Sequence, residues 1–214
     1  MKIIKRGTTC RHLVKVVQRA LGLKDDGIFG QQTETAVKEF QRLNGLTADG
    51  IVGTKTLMKL LRLNYGLCGS CREISEVIVH CAATPEGNDF TVDDIRRWHT
   101  LPPPKGNGWQ DVGYHYVVGL RGELWLGRDV DIQGAHCAAG GHNRKSIGVC
   151  YIGGVARDGK TPKDTRTPEQ KATLLKLLMD LRKLYPGMRI YGHHDFERGK
   201  ACPSFDAKNE YRNI

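Results

Sequence analysis

Glu76-Val-Ile-Val-His-Cys-Ala82 is the stretch on which the reading of this chain turns. A short apolar, β-branched run with no helical period reads as a strand buried in a sheet. The elements after it alternate. Thr91 to Thr100 reads as a helix, with Val92, Ile95 and Trp98 or His99 towards one side. Tyr114 to Arg128 reads as two strands joined at Arg121-Gly122, and Ser146 to Ile152 as another strand. Thr167-Pro168-Glu169-Gln170 opens a helix: threonine caps, proline suits the first turn, and glutamine sits where a capping box needs it. That helix would bury Leu174, Leu177, Leu178 and Leu181 and stop at Pro186-Gly187; Met188 to Gly192 is a last strand. Strands interleaved with helices predict an α/β mixed-sheet domain over 74–214.

Ahead of it the pattern changes. Asp26-Gly27-Ile28-Phe29-Gly30 returns 23 residues later as Asp49-Gly50-Ile51-Val52-Gly53. Each copy precedes a helical pattern beginning at a threonine: Thr33, Ala36, Val37 and Phe40, then Thr54, Leu57, Leu60 and Leu61. Leu13, Val16, Val17, Ala20 and Leu21 give a third amphipathic helix in front. Asp-Gly supplies turns that tolerate positive φ. An EF-hand loop would need further Asp or Asn at two-residue steps, where Gly22 and Lys24 stand. Residues 1–62 therefore read as a small three-helix domain, and 63–73, with two glycines and a broken period, as a linker.

Composition bounds the partners. Hydrophobic residues make up 39% of the 214, enough for packed cores in two domains. No apolar run approaches the roughly 20 residues needed to span a bilayer, so no membrane insertion is expected. The Met1-Lys-Ile-Ile-Lys-Arg start is followed by no apolar core, so no signal peptide is expected. The net charge of +10 favours an anionic partner: nucleic acid, a membrane surface or a bacterial wall. No recognition motif or basic run supports nucleic acid. The seven cysteines (10, 68, 71, 81, 137, 150 and 202) are odd in number and irregular in spacing, which predicts a mostly reduced protein. Cys68 and Cys71 could pair in an oxidising space; Cys81 and Cys150 read as small buried hydrophobes, and Trp98 and Trp109 as core.

Three side chains have the character of zinc ligands: His80 and His193, each ending an expected strand, and Cys202, nine residues beyond His193 past a charged loop. Catalytic groups gather at strand ends in open α/β sheets. Spacing alone is weak support, because no paired motif such as HExxH is present.

The wider pattern resembles a family. Ile78-Val-His-Cys-Ala-Ala-Thr84, Gly108-Trp-Gln-Asp-Val-Gly-Tyr-His-Tyr116, Gly127-Arg-Asp129, Gly134-Ala-His136, Asn143-x-x-Ser-Ile-Gly-Val149, Gly192-His-His194 and Lys200-Ala-Cys-Pro-Ser-Phe-Asp206 occur in family order. Together they resemble the type 2 N-acetylmuramoyl-L-alanine amidases, which include phage amidase endolysins and animal peptidoglycan recognition proteins. The front segment, through its two Asp-Gly-Ile-x-Gly turns and Thr33-x-x-Ala36-Val37-x-x-Phe40-Gln41, resembles the three-helix peptidoglycan-binding domain of many wall hydrolases.

The resemblance implies Zn2+ held by His80, His193 and Cys202, with Tyr114 and Lys200 as catalytic residues. His136 and Asn143 become candidates for contacting substrate, a structural role for His136 being equally compatible. The loop between His193 and Cys202 looks one residue longer than in short endolysins, which leaves His194 as an alternative to His193. The implied activity is cleavage of the amide between N-acetylmuramic acid and L-alanine, by a monomer acting on the wall after holin-type release from a host cytoplasm. A bacterial effector would share these features. Amidase-fold proteins that bind wall without cutting it commonly lose the third ligand; this chain keeps Cys202 and Lys200.

Overall fold

In the computed structural model, which describes residues 3–67 and 69–214, the chain divides into two compact units. One comprises Met1–Glu73 with Met179–Pro186, the other Ile74–Leu178 with Gly187–Ile214.

The first unit contains α1 (Arg11–Ala20), α2 (Gln31–Leu43) and α3 (Thr54–Leu61). The helix after the first Asp-Gly turn starts at Gln31, two residues before the expected threonine; Thr33 points inward instead, 3% exposed. The reason is a hydrogen-bond network built twice. The side-chain amide of a glutamine is the hub: Gln18 Nε2 donates to Asp26 Oδ1 (2.8 Å), Ile28 O (3.1 Å) and Thr33 Oγ1 (3.1 Å), while its Oε1 accepts from Gly27 N (2.9 Å). Gln41 repeats this with Asp49 Oδ1 (2.9 Å), Ile51 O (2.8 Å), Thr56 Oγ1 (3.2 Å) and Gly50 N (2.9 Å). Both glutamines are buried, so full satisfaction of their amides is required. Gly27 and Gly50 sit at φ +75° and +76°, where a side chain would be strained.

The cysteines depart from expectation. Cys10, immediately before α1, is disulfide-bonded to Cys71, with Cα atoms 5.2 Å apart. Sixty-one positions separate them, so spacing could not reveal the pair. Cys68, considered above as the partner of Cys71, lies outside the described residues.

The second unit contains β1 (Glu76–Cys81), β2 (Thr84–Pro85), α4 (Val92–Thr100), β3 (Tyr116–Val118), β4 (Leu124–Leu126), β5 (Ser146–Tyr151), β6 (Gly154–Val155), α5 (Pro168–Leu184), β7 (Arg189–Gly192) and α6 (Ala207–Glu210); the end of α5 from Met179 is counted with the first unit. Its main sheet runs β4-β3-β5-β1-β7, parallel except for the β3–β4 hairpin, and β2 pairs with β6 in a small second sheet.

All six residues of β1 are buried, which explains its unbroken apolar reading: a central parallel strand has no solvent face. Thr91 and Asp94 close a capping box on α4. Thr167 and Gln170 do so on α5, through Gln170 N to Thr167 Oγ1 (3.1 Å) and Thr167 N to Gln170 Oε1 (3.0 Å). Leu174, Leu177, Leu178 and Leu181 are fully buried, each stabilising by about 1.5–3 kcal/mol relative to exposure. Val92, Ile95, Val112, Val117, Cys150 and Ile152 form a further core cluster against which Trp98 packs. Trp109, expected in the core, is instead 38% exposed.

Reducing the Cys10–Cys71 bond, or making Cys71→Ser, is expected to destabilise the first unit by about 4 kcal/mol, the chain-entropy value for a closed loop of this length. Denaturant unfolding with and without reductant measures it, and coincident midpoints would show that the bond contributes nothing.

Candidate metal centre and active site

The sheet register sets the site. Gly192 of β7 lies opposite Val79 of β1, so the residues that follow, His193 and His80, become neighbours. Their ring centroids are 4.5 Å apart. His193 does not continue the strand; with His194 and Asp195 it forms a 3-10 turn. Gly192 N donates to Asp195 Oδ2 (2.8 Å) and His194 N to Cys202 O (2.8 Å), which folds the loop back on itself. Phe196 stacks on His142, centroids 3.7 Å apart, and anchors the loop's middle. His193 is buried beside His80, whereas the His194 side chain is 29% exposed, with Nε2 3.9 Å from Asp195.

Cys202 Sγ stands 3.7 Å from His80 Nδ1 and accepts from Cys81 N at 3.3 Å. One donor atom each from His80, His193 and Cys202 lies within 4.8 Å of the others. Ligands of a tetrahedral zinc, at about 2.0–2.1 Å for nitrogen and about 2.3 Å for sulfur, stand about 3.6 Å apart, so this donor set fits the ion in both kind and spacing. A second combination, Cys137, His193 and Glu197, shares His193. There Cys137 is a buried thiol pushed up to about 11, first by desolvation, and Glu197 is already engaged by Lys200.

The electrostatics suit a ligand set. Burial, and then the neighbouring His136, His193 and Lys200, hold the pKa of His80 well below the usual imidazole value. Burial lowers His193 as well, partly opposed by its hydrogen bond to Glu197. Both rings are therefore neutral, as coordination requires. A hydrogen bond with Cys81, and then burial, raise the Cys202 thiol far above its ordinary range; a bound cation would favour the thiolate.

Tyr114 borders this group, with its ring 5.1 Å from that of His80. Desolvation, and then the sulfurs of Cys150, Cys202 and Cys81, raise its pKa well above 10 and keep the phenol protonated. Arg128 secures the approach to Tyr114 by donating to Val112 O (3.0 Å), Asp111 O (3.1 Å) and Gln133 O (2.8 Å). The exposed Trp109 packs on His99 (4.8 Å), which packs on Tyr114 (5.6 Å), leaving an aromatic flank open to solvent. Lys200 is half-exposed and pairs with Glu197 at 3.0 Å; Glu197 also meets His193 Nε2 at 2.9 Å. Sequence reasoning missed Glu197. Its signal was present: it lies four residues after His193 in a short turn, one helical step away.

His136 and Asn143, the residues expected to contact substrate, are both engaged within the protein. His136 is buried, with Nδ1 3.0 Å from His80 Nε2. Asn143 Oδ1 accepts from the backbone N–H of His136 (2.9 Å) and Cys137 (2.8 Å).

Residues 70–205 match the family described as N-acetylmuramoyl-L-alanine amidase, and residues 13–60 match a peptidoglycan-binding domain family. The chain is 42% identical over 137 residues to the endolysin of Klebsiella phage KP32, covering 64% of this chain and 85% of that protein. It is 42% identical over 138 residues to the endolysin of Escherichia phage T7, again covering 64% and 85%. The solved structure of the amidase LysC from Clostridium intestinale URNW shares the fold, with a TM-score of 0.51 at 22% identity over 65% of this chain and 82% of that one. This chain belongs to the N-acetylmuramoyl-L-alanine amidase family, a peptidoglycan amidase preceded by a peptidoglycan-binding domain.

Asn143→Ala removes the acceptor shared by two backbone donors and is expected to destabilise the second unit by about 2 kcal/mol, whereas Asn143→Asp keeps the acceptor and most of the stability. Equal denaturant midpoints for Asn143→Ala and the unaltered protein would contradict this.

Proposed function

We propose that the chain is a zinc-dependent amidase in which His80, His193 and Cys202 hold the metal and Tyr114 and Lys200 carry out the chemistry on the amide between N-acetylmuramic acid and L-alanine. The observation that carries this reading is the convergence within 4.8 Å of two neutral imidazoles, His80 in β1 and His193 directly after β7, and the Cys202 thiol. Zinc bound there would supply a Lewis acid and make water nucleophilic near neutral pH. The Lys200 ammonium, tethered by Glu197, is available to stabilise the negative charge that develops on the carbonyl oxygen. Tyr114, held protonated beside His80, is suited to orient the attacking water or to pass a proton to the departing amine. The aromatic flank of His99 and Trp109 gives the approaching stem peptide an apolar wall.

The front domain would hold the enzyme on its polymer, and the +10 charge would favour an anionic wall over long range. The endolysin relatives of phages support a role in host lysis; the protein would act on the wall as a monomer after release from the host cytoplasm. No helix among the described residues is long and apolar enough to cross a membrane.

The test is digestion of purified peptidoglycan with and without a zinc chelator, with soluble products identified by mass spectrometry. Stem peptides with new L-alanine amino termini, lost with chelator and restored by zinc, are expected. New sugar reducing ends would overturn the reaction assigned here, and retention on the wall without cleavage would favour a pure binding role. Within the same assay, Lys200→Ala is expected to lower kcat by roughly 100- to 1000-fold, in the range seen when an oxyanion-stabilising donor is removed. Tyr114→Phe is expected to lower it by about 100-fold or more. Wild-type turnover in either variant would remove that residue from the mechanism.

A further inference from the structure

Five residues from separate parts of the chain are arranged around His136. Its Nδ1 lies 3.0 Å from His80 Nε2, and its Nε2 lies 3.4 Å from Ser146 Oγ at the start of β5. Asn143 fixes its backbone N–H. Two glycines close on the ring: a Cβ at Gly134 or at Gly148 would come within 2.5 Å of His136 Cδ2, so no larger residue fits at either place while the ring stays where it is. The Gly134-Ala-His136 and Asn143-x-x-Ser-Ile-Gly148 segments thus act together as a clamp on one imidazole.

We infer that His136 is a positioning residue whose Nδ1 accepts the Nε2–H of His80, fixing that ring as the tautomer that turns an unprotonated Nδ1 towards Cys202. This rests on the proposal that His80 is a metal ligand. The proton order follows from the geometry. Cys202 Sγ faces His80 Nδ1 at 3.7 Å, so Nδ1 is the nitrogen that must keep its lone pair free for a metal. The proton of the neutral ring then sits on Nε2 and is donated to His136 Nδ1. His136 in turn carries its proton on Nε2, with Ser146 Oγ as acceptor. Such outer partners of ligand histidines set ring orientation and raise ligand basicity, and their loss typically weakens metal binding 10- to 100-fold.

Two readouts test this. Zinc affinity is measured by competition with a chromophoric chelator, and ring tautomers in the zinc-free protein by long-range proton–nitrogen NMR. His136→Leu, which has no acceptor, is expected to bind zinc 10- to 100-fold more weakly and to leave His80 without a single tautomer. His136→Asn carries an amide oxygen at the place of Nδ1 and is expected to recover most of the affinity and the Nε2–H form of His80. Unchanged affinity in His136→Leu, or His80 protonated on Nδ1 in the unaltered zinc-free protein, would overturn the inference. His80→Ala and Cys202→Ser serve as controls: if they bind zinc as tightly as the unaltered protein, the metal assignment itself fails, and separately. Should His136→Leu not fold by circular dichroism, the His80 tautomer of the unaltered protein decides alone.

Discussion

Everything in the catalytic unit depends on parallel pairing between β1 and β7 in one register. Parallel strands end at the same edge, and the pairing of Val79 with Gly192 brings the residues beyond them to that edge side by side. A shift of one residue would turn His80 to the opposite face of the sheet. Strand hydrogen bonding, with burial of β1 on both faces, thereby performs the most exacting part of site assembly. The loop after Gly192 then has only to return one cysteine, which it does through a tight turn and a backbone bond between His194 and Cys202.

The site is dry on one side and wet on the other. His80, His136 and His115 are buried, and His115 is committed to Gly148 N (2.9 Å) and Ile132 O (3.0 Å). Towards solvent stand Lys200, Glu197 and Trp109. A polymer strand approaching from the wet side would meet the Lys200–Glu197 pair and an aromatic face, while the histidines behind it are buried. That division keeps the Lys200 charge at the solvent edge, paired with Glu197 and not buried alone.

Much of the fold was legible because burial writes directly into residue type. The apolar run of β1 and the four inward leucines of α5 each have one period and one explanation. The capping residues of α5 were legible for the same local reason. The ligand-type residues could be picked out by chemistry, but their convergence could not, since His80 and Cys202 are 122 positions apart. His136 was visible as a motif residue whose partner lay across the sheet. Glu197 looked like an ordinary charge in a polar loop. Trp109 reads as core because aromatic residues fill cores far more often than they stand exposed, as it does here. The Cys10–Cys71 bond escaped because an odd count of cysteines hides one true pair among free thiols.

The doubled glutamine network has a consequence for how the front domain can change. Each copy closes its own donors and acceptors within one turn and the helices beside it. The domain is therefore written in two self-contained sentences of the same grammar. Damage to one leaves the polar groups of the other satisfied, and residues between them can drift without breaking either. Such a layout gives a wall-facing module freedom to diversify its exposed side chains while its interior stays fixed.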